Sequence, residues 1–366
     1  MTLTNLYKTP WPWFGGKADA APAVWSALGD VDHYVEPFAG SLAVLLRRPH
    51  VANRTYHSET VNDLDGLLCN AWRAIARDPD GVAEAASWPV CEADLMARHL
   101  ALLAWRAAGN AERLMANPDF FDARMAGWWI WGQSAWIGSG WCSGQGPWIV
   151  GDDGRVTKRA GSRGVARQLP HVSDNGRGCN HAGAREEGVG AEPEYHPMTM
   201  PELRRWLRYL SARLRHVRIL NGPWERAVTS GVLKVITVRS GKGCAGVFLD
   251  PPYDDAVRTG GLYTHDAGAV ASECRAWCER VGDDPDYRIV LAGYDTEHTS
   301  LEARGWRVVE WFRGGFLKGG MAQQGARDAD GETQHQQRRE RLWLSPHCIA
   351  PVIECPRQAS LFGVLA

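Results

Sequence analysis

A carboxylate, two prolines and an aromatic ring follow one another at Asp250-Pro251-Pro252-Tyr253. The apolar run 247–249 before them predicts a buried strand of a mostly parallel sheet. Asp250 would then lie at the carboxyl end of that strand, where open α/β sheets bind their ligands. Because the prolines fix φ and donate no backbone hydrogen bonds, they would hold the carboxylate, the Pro251 carbonyl and the ring in a rigid order.

These groups suit the binding of a planar amine. The amino group of adenine is a poor nucleophile because its lone pair is delocalised into the ring. Asp250 and the Pro251 carbonyl would accept its two N–H bonds and localise that lone pair, while Tyr253 stacks on the base. The alternative interpretation is a strand that ends in an ordinary proline-rich turn.

A second candidate site lies near the start of the chain, at residues 34–42. Its pattern predicts a strand, a tight turn at Gly40 and then a helix over 43–47. Nucleotide-like cofactors are often held this way, because the free N–H groups of the helix N-terminus face the ligand and a glycine keeps the wall low. Asp63 follows about 20 residues further on, at the spacing where an acid binds a ribose diol.

Six short stretches carry a family resemblance. They are Phe14-Gly-Gly-Lys17, Glu36-Pro-Phe-Ala-Gly40, Asn62-Asp-Leu-Asp65, Asp250-Pro-Pro-Tyr253, Leu291-Ala-Gly-Tyr-Asp295 and Arg341-Leu-Trp-Leu-Ser345. In type and order they resemble the motifs of Dam-type N6-adenine DNA methyltransferases, most of all the bacteriophage and bacterial branch. The resemblance covers both ends of the chain but not its middle.

The resemblance implies a Rossmann-like sheet that binds S-adenosylmethionine. The cofactor pocket would be lined by Trp13 and Lys17 at the methionine end, by Glu36, Phe38 and Gly40 along the turn, and by Asp63 at the ribose. On the target side, Asp250 would accept from the amine and Tyr253 would stack on a flipped adenine.

The sequence departs from the family pattern at two places. Where family members often carry a second glycine after Gly40, this chain has Ser41-Leu42. Where they often place an aspartate before an aromatic residue to bind the cofactor's adenine, this chain has Pro223 before Trp224. These departures keep open a protein of another class, a DNA-binding subunit or decoy that has lost turnover. A cytosine amine or an RNA base remains an alternative acceptor.

The middle of the chain differs in character from both ends. Residues 151–197 are rich in Gly, Arg, Asp and His and lack apolar periodicity. A loop of this length inside a compact domain is usually functional or disordered. We interpret 91–197 as an inserted target-recognition region whose cations contact DNA phosphates, with Arg155, Lys158, Arg159 and Arg163 as candidates. The alternative is a solvated insert without fixed contacts.

Tryptophans are concentrated just before this region. Trp128 to Trp136 recur near helical spacing, which favours packing in the core. Trp141 and Trp148 stand in a Gly/Ser-rich segment, where packing and stacking on DNA bases are equally good interpretations. Trp141 is therefore a further candidate for contact with nucleic acid.

Composition bounds the remaining possibilities. The chain has 366 residues, of which 45% are hydrophobic, and a net charge of -1, which suits one large or two modest globular domains. No apolar run is long enough to cross a bilayer, and no signal peptide precedes Tyr7. Nine cysteines without a CxxC pair predict free thiols in a cytoplasmic protein of a bacterial cell or a phage-infected host. His171, Cys179 and His181 have no fourth partner at a regular spacing, so we expect no metal.

The predicted architecture is α/β, with residues 1–90 and 198–366 forming a discontinuous catalytic domain around the insert 91–197. Double-stranded DNA is the expected partner, and a cognate restriction enzyme is a further one. Further patterns predict helices over 20–28, 93–108, 200–217 and 270–281 and strands over 287–293, 306–311 and 341–345.

Overall fold

A computed structural model gives the fold of the chain. It describes residues 8–11, 13, 16–49, 58–89, 91–135, 141–142, 148–150, 156–158, 200–234, 243–252, 267–311 and 339–349.

The fold is built on a mixed sheet of seven strands, which run in the order β5-β2-β1-β6-β7-β9-β8. The strands are β1 (His33–Glu36), β2 (Ser58–Asp63), β5 (Val217–Asn221), β6 (Ala245–Leu249), β7 (Tyr287–Tyr294), β8 (Arg307–Val309) and β9 (Glu340–Leu344). The first five strands in this order are parallel to one another, whereas β9 is antiparallel to both of its neighbours, β7 and β8. The predicted Rossmann-like sheet is confirmed.

The chain reverses its direction of travel across the sheet between β1 and β6. From β1 it moves outward to β2 and β5, and it then returns to pair β6 against the other side of β1. Ligands of open α/β sheets bind at such a switch point, outside the carboxyl ends of the strands. Glu36 ends β1 and Asp250 follows β6, so two acids flank this position.

Helices pack against the sheet and enlarge the fold on one side of it. They are α1 (Ala21–Leu28), α2 (Gly66–Arg77), α3 (Pro79–Ala86), α4 (Glu92–Ala107), α5 (Asn110–Ala116), α6 (Ala123–Ala135), α7 (Met200–Leu214), α8 (Ser230–Lys234) and α9 (Ala267–Val281). A separate two-stranded sheet is formed by the antiparallel strands β3 (Trp148–Val150) and β4 (Val156–Lys158).

Two sequence predictions differ from the structure in detail. The segment after Gly40 forms a three-residue 3-10 helix, Leu45–Arg47, in place of the helix expected over 43–47. Val217, which extends the apolar spacing of α7, instead begins strand β5. The helix ends at Leu214 because the chain turns there to add the outermost parallel strand.

The helical part of the predicted insert shares a core with the sheet. Trp129 and Trp131 of α6 are fully buried, and they belong to the same hydrophobic cluster as Trp72 of α2 and Trp206 of α7. The packing role predicted for the tryptophans of α6 is confirmed for these two. Packing is therefore continuous across the expected domain boundary at residue 91.

Within the described ranges, no helix is long and apolar enough to span a membrane. The same residues contain no cluster of three or more His, Cys, Asp or Glu side chains arranged to hold a metal ion. The seven cysteines among them are free thiols.

Candidate active site

An ion-paired cluster lies at the carboxyl edge of β6. The Lys17 ammonium is 3.2 Å from Asp250 Oδ1 and 3.5 Å from Glu340 Oε2. The lysine side chain is 4% exposed, whereas the side chain of Asp250 is 21% exposed and so retains access to solvent. Burial disfavours the ammonium, but the two carboxylates outweigh burial and raise the pKa of Lys17 above its ordinary value.

Three distant parts of the chain build this cluster. Lys17 precedes α1, Asp250 follows β6, and Glu340 opens β9. Because β9 is antiparallel to β7, with Glu340 opposite Tyr294, its first residue lies at the edge where the parallel strands end. Sequence analysis missed Glu340, which immediately precedes the strand predicted over 341–345, because only the pairing of β9 with β7 brings it to this edge.

The Asp-Pro-Pro corner lies as predicted at the end of a strand whose five residues are all buried. Pro251 is buried and Pro252 is half-buried. Tyr253 lies outside the described residues, so its stacking role stays a prediction.

The glycine turn after β1 is held closely by aromatic side chains. Gly40 has a φ of +44°, a left-handed conformation that glycine adopts readily. A Cβ at this position would stand 2.8 Å from Trp13 Nε1. Trp72 donates from its indole nitrogen to the Gly40 carbonyl at 3.0 Å. Trp13 and Gly40, both predicted to line the cofactor pocket, are thus in direct contact.

Leu42, in the segment where family members often carry a second glycine, adopts a backbone conformation that favours glycine. Its φ is +53°, in the left-handed region, and its side chain is fully buried. A non-glycine residue in this region costs about 1–2 kcal/mol. The departure from the family pattern therefore places a leucine side chain in the turn, while the backbone of Leu42 has a φ typical of glycine.

Asp63 ends β2 and closes the other side of this turn. Its Oδ2 accepts from the Gly40 amide at 2.9 Å, and its Oδ1 accepts from the Asp65 amide at 3.0 Å. Burial raises the pKa of Asp63 to about 6. The carboxylate predicted to bind a ribose thus also fixes the turn.

Asn62 ties the turn to the segment after β5. Its Nδ2 donates to the carbonyls of Pro37 at 3.0 Å and Gly222 at 2.9 Å. Its Oδ1 is buried and has no hydrogen-bond partner among the described residues. Buried polar atoms are normally paired, so an orphaned acceptor here fits the edge of a polar ligand.

The segment with Pro223 is also tied to this side of the site. Asn221 donates from Nδ2 to the carbonyls of Asp63 at 2.9 Å and Leu64 at 3.2 Å. Phe38, which is half-buried, stacks on Trp224 with ring centroids 6.0 Å apart. The Asn221 amide is thus engaged with the backbone after β2.

Glu36 lies under the turn as a buried acid. Its Oε2 accepts from the Tyr34 hydroxyl at 3.0 Å. Burial is the main cause that raises the pKa of Glu36 to about 8. This predicted cofactor residue therefore supports the turn from the core, where it is only 3% exposed.

The candidate DNA contacts are only partly described. Trp141 is 8% exposed and donates from its indole nitrogen to the Trp129 carbonyl at 3.1 Å, and Gly132 leaves room for its ring. Of the two interpretations of Trp141, this position favours packing, because the ring occupies the space that Gly132 leaves beside α6. Its contact with nucleic acid stays a prediction. Lys158 lies in β4, while Arg155, Arg159 and Arg163 lie outside the described residues.

Arg106, which belongs to the predicted insert, contacts the side of the site where the cofactor is expected. Arg106 of α4 donates from Nη2 to Asp65 Oδ1 at 3.2 Å and from Nη1 to the Cys142 carbonyl at 2.5 Å. Asp65 caps α2 by accepting from the Leu67 amide at 2.9 Å, and its own amide is bound by Asp63. The insert is therefore linked to the glycine turn by consecutive hydrogen bonds.

An acidic corner beside a glycine turn, on a seven-stranded sheet of this order, is consistent with a Rossmann-like methyltransferase fold. Residues 13–90 match the family model described as D12 class N6 adenine-specific DNA methyltransferase. The matched range includes Trp13, Lys17, Gly40 and Asp63, whereas Asp250 lies beyond it. No curated protein matches the chain. This match agrees with the resemblance seen in the sequence, and enzymes of that class use S-adenosylmethionine.

Proposed function

We propose that methyl transfer takes place at the switch point between β1 and β6, with Asp250 and the Pro251 carbonyl as the groups that bind the target amine. The observation that carries this assignment is the position of Asp250. It is a partly exposed carboxylate at the carboxyl edge of a buried strand, held by Lys17 at 3.2 Å. The glycine turn lies on the adjacent strand, on the other side of the switch point.

The described residues fit S-adenosylmethionine on the β1–β2 side. The left-handed turn at Gly40 keeps the wall low, and Asp63 has lone pairs beyond its two backbone contacts for ribose hydroxyls. Leu64, next along the chain, is 74% exposed and offers an apolar wall for a planar base. Trp13, Lys17, Glu36 and Phe38 complete the proposed surroundings, Glu36 by supporting the turn from within.

The chemistry requires no charged nucleophile from the protein. The bound cofactor would supply an electrophilic methyl group whose carbon–sulfur bond breaks with its electron pair passing to sulfur. Asp250 accepts one N–H of the amine and the Pro251 carbonyl accepts the other, so the nitrogen lone pair is directed at the methyl carbon. As the new nitrogen–carbon bond forms, Asp250 is placed to receive the proton that nitrogen releases. These acceptors are preorganised by the rigid proline exit and by Lys17.

The adenine must leave the DNA duplex to reach this edge, which costs a few kcal/mol. We propose that Tyr253 stacks on the flipped base and that Arg155, Lys158, Arg159 and Arg163 contact phosphates, as the insert 91–197 reads the target sequence. Phosphate contacts would orient the duplex, and base contacts would set the sequence.

A DNA-binding subunit without turnover is the second candidate. It is favoured by Pro223, which stands where the family carries an acid, and by the engagement of the Asn221 amide with backbone carbonyls. Calorimetric titration with S-adenosylmethionine separates the two candidates. Binding is expected for the enzyme, whereas DNA binding without cofactor binding would favour the inactive subunit.

The decisive experiment is expression in a host free of DNA methylation, followed by single-molecule sequencing of its genome. Modified adenines within one short sequence motif are expected. That motif would define the specificity that a cognate restriction enzyme would have to share. A genome without modified adenine would contradict the proposed assignment.

A further inference from the structure

Glu340 has no part in the reaction as described so far, yet it lies within the ion-paired cluster. It is 9% exposed, and its Oε2 is 3.5 Å from the same ammonium that contacts Asp250. A buried carboxylate is costly unless it is paired. Its location at the first residue of β9, opposite the last residue of β7, fixes it at the edge where the methyl group would be transferred.

Lys17 has two opposing effects on Asp250. It places a positive charge 3.2 Å from the carboxylate and holds that side chain in position, which an acceptor for the target amine requires. It also draws electron density from Asp250, which weakens the carboxylate as an acceptor while the amine nitrogen gains positive charge in the transition state. A second anion on the ammonium reduces this withdrawal, because Lys17 then divides its three N–H donors and its positive charge between two carboxylates.

We propose that Glu340 is a positioning residue for methyl transfer, which shares the Lys17 ammonium with Asp250 and thereby keeps Asp250 a strong acceptor for the target amine. This inference rests on the proposed role of Asp250. Glu340 acts through Lys17 and has no assigned contact with cofactor or base, so its loss should slow the chemical step more than it weakens binding.

The test compares Glu340→Gln with a matched control, Glu310→Gln. Glu310 is also a carboxylate at this end of the sheet and pairs with Arg341 at 3.0 Å, but its side chain is 71% exposed. Single-turnover methylation would be measured with saturating S-adenosylmethionine on genomic DNA from a methylation-free host. Glu340→Gln is expected to slow methyl transfer by about 10–100-fold, with the dissociation constants for cofactor and DNA changed by less than about threefold. Glu310→Gln should change neither.

A double-mutant comparison shows whether the effect passes through the lysine. In a Lys17→Met background, Glu340→Gln should alter the rate by less than about threefold. Equal rates for Glu340→Gln and the parent enzyme, or the same loss in both backgrounds, would overturn the proposal.

A second measurement is independent of activity. Selective isotope labelling of lysine allows the Lys17 ammonium to be titrated by NMR, and its pKa should fall in Glu340→Gln because one of the two carboxylates that raise it is gone. An unchanged pKa would show that Glu340 does not share the ammonium. If the parent enzyme transferred no methyl group, the proposed function would fail, while this titration would still show whether Glu340 shares the Lys17 ammonium.

Discussion

The two sides of the active site stabilise their acids by different means. On the β1–β2 side, Glu36 and Asp63 are held by a hydroxyl and by backbone amides, and burial raises the pKa of both. On the β6 side, Asp250 and Glu340 share one ammonium. In the first pair of acids, burial outweighs the hydrogen bonds from neutral donors and raises the pKa, whereas the second pair has a charged partner.

This difference suits two tasks. A cofactor turn needs a fixed shape, which backbone hydrogen bonds and the contact between Gly40 and Trp13 supply. A target site must stabilise charge that develops during the reaction, which needs an ionised acceptor in place beforehand. Substitutions on the β1–β2 side should therefore weaken cofactor binding, whereas substitutions at Asp250 should slow methyl transfer.

Asp250→Ala should have the largest effect on turnover. Loss of the main acceptor for the amine is expected to reduce methyl transfer by about 10³-fold, or about 4 kcal/mol, while cofactor affinity largely persists. Sequencing of host DNA reports the modification, and calorimetry reports the binding. Retained modification would refute the role of Asp250, and lost cofactor binding would remove the distinction between the two sides.

Lys17→Met should mainly affect stability. The variant leaves two neighbouring carboxylates without their shared cation, and breaking a buried ion pair costs about 3 kcal/mol or more. Urea unfolding measures the loss. Arg208→Ala is the matched control, because the Arg208–Asp80 pair at 2.8 Å is exposed on both sides and such pairs contribute little to stability. Equal losses for the two variants would contradict this view of the cluster.

Gly40→Ala should affect the cofactor side. A side chain at a φ of +44° is strained, and its Cβ would approach Trp13 Nε1 to 2.8 Å, so we expect a loss of about 2 kcal/mol in stability and weaker cofactor binding. Gly231→Ala in α8 is the control, since a Cβ there meets nothing within 4 Å. Calorimetry on both variants provides the comparison, and unchanged binding by Gly40→Ala would argue against the turn as a cofactor wall.

The pH dependence of stability should sharpen the contrast further. The pKa of Glu36 is raised to about 8 in the folded chain, so the folded state binds the proton more tightly than the unfolded state. Its contribution is fully present below the ordinary glutamate pKa and is lost as pH rises through 8. Between pH 6 and 7 the free energy of unfolding should fall by about 1 kcal/mol, and Glu36→Gln should remove that fall. Urea midpoints at the two pH values test this, and parallel behaviour of parent and variant would contradict it.

The sequence predicted those parts of the site that depend on local pattern. The turn at Gly40 and the Asp250 corner each follow an apolar strand within a few residues, so composition and spacing were sufficient. Glu340 was not predictable in this way, because its neighbours Lys17 and Asp250 are brought to it only by the antiparallel pairing of β9 with β7. Arg106 was missed for the same reason, since its partner Asp65 lies in another element.

One local pattern misled, and another left two interpretations open. Val217 continues the spacing of Leu210 and Leu214, so a helical period persists beyond the true end of α7. Trp141 stands in a Gly/Ser-rich segment, but its ring packs against Gly132 of α6. The local sequence does not indicate this contact. In both cases the tertiary arrangement determined the outcome.

The antiparallel last strand has a consequence for biosynthesis. Domains begin to fold from the N-terminal side while the ribosome is still extending the chain. The glycine turn and Asp63 emerge early, but the carboxylate that shares Lys17 is added some ninety residues after Asp250. A nascent polypeptide can thus acquire the cofactor wall well before its reaction centre is complete, and full competence to modify DNA comes only when β9 joins the sheet.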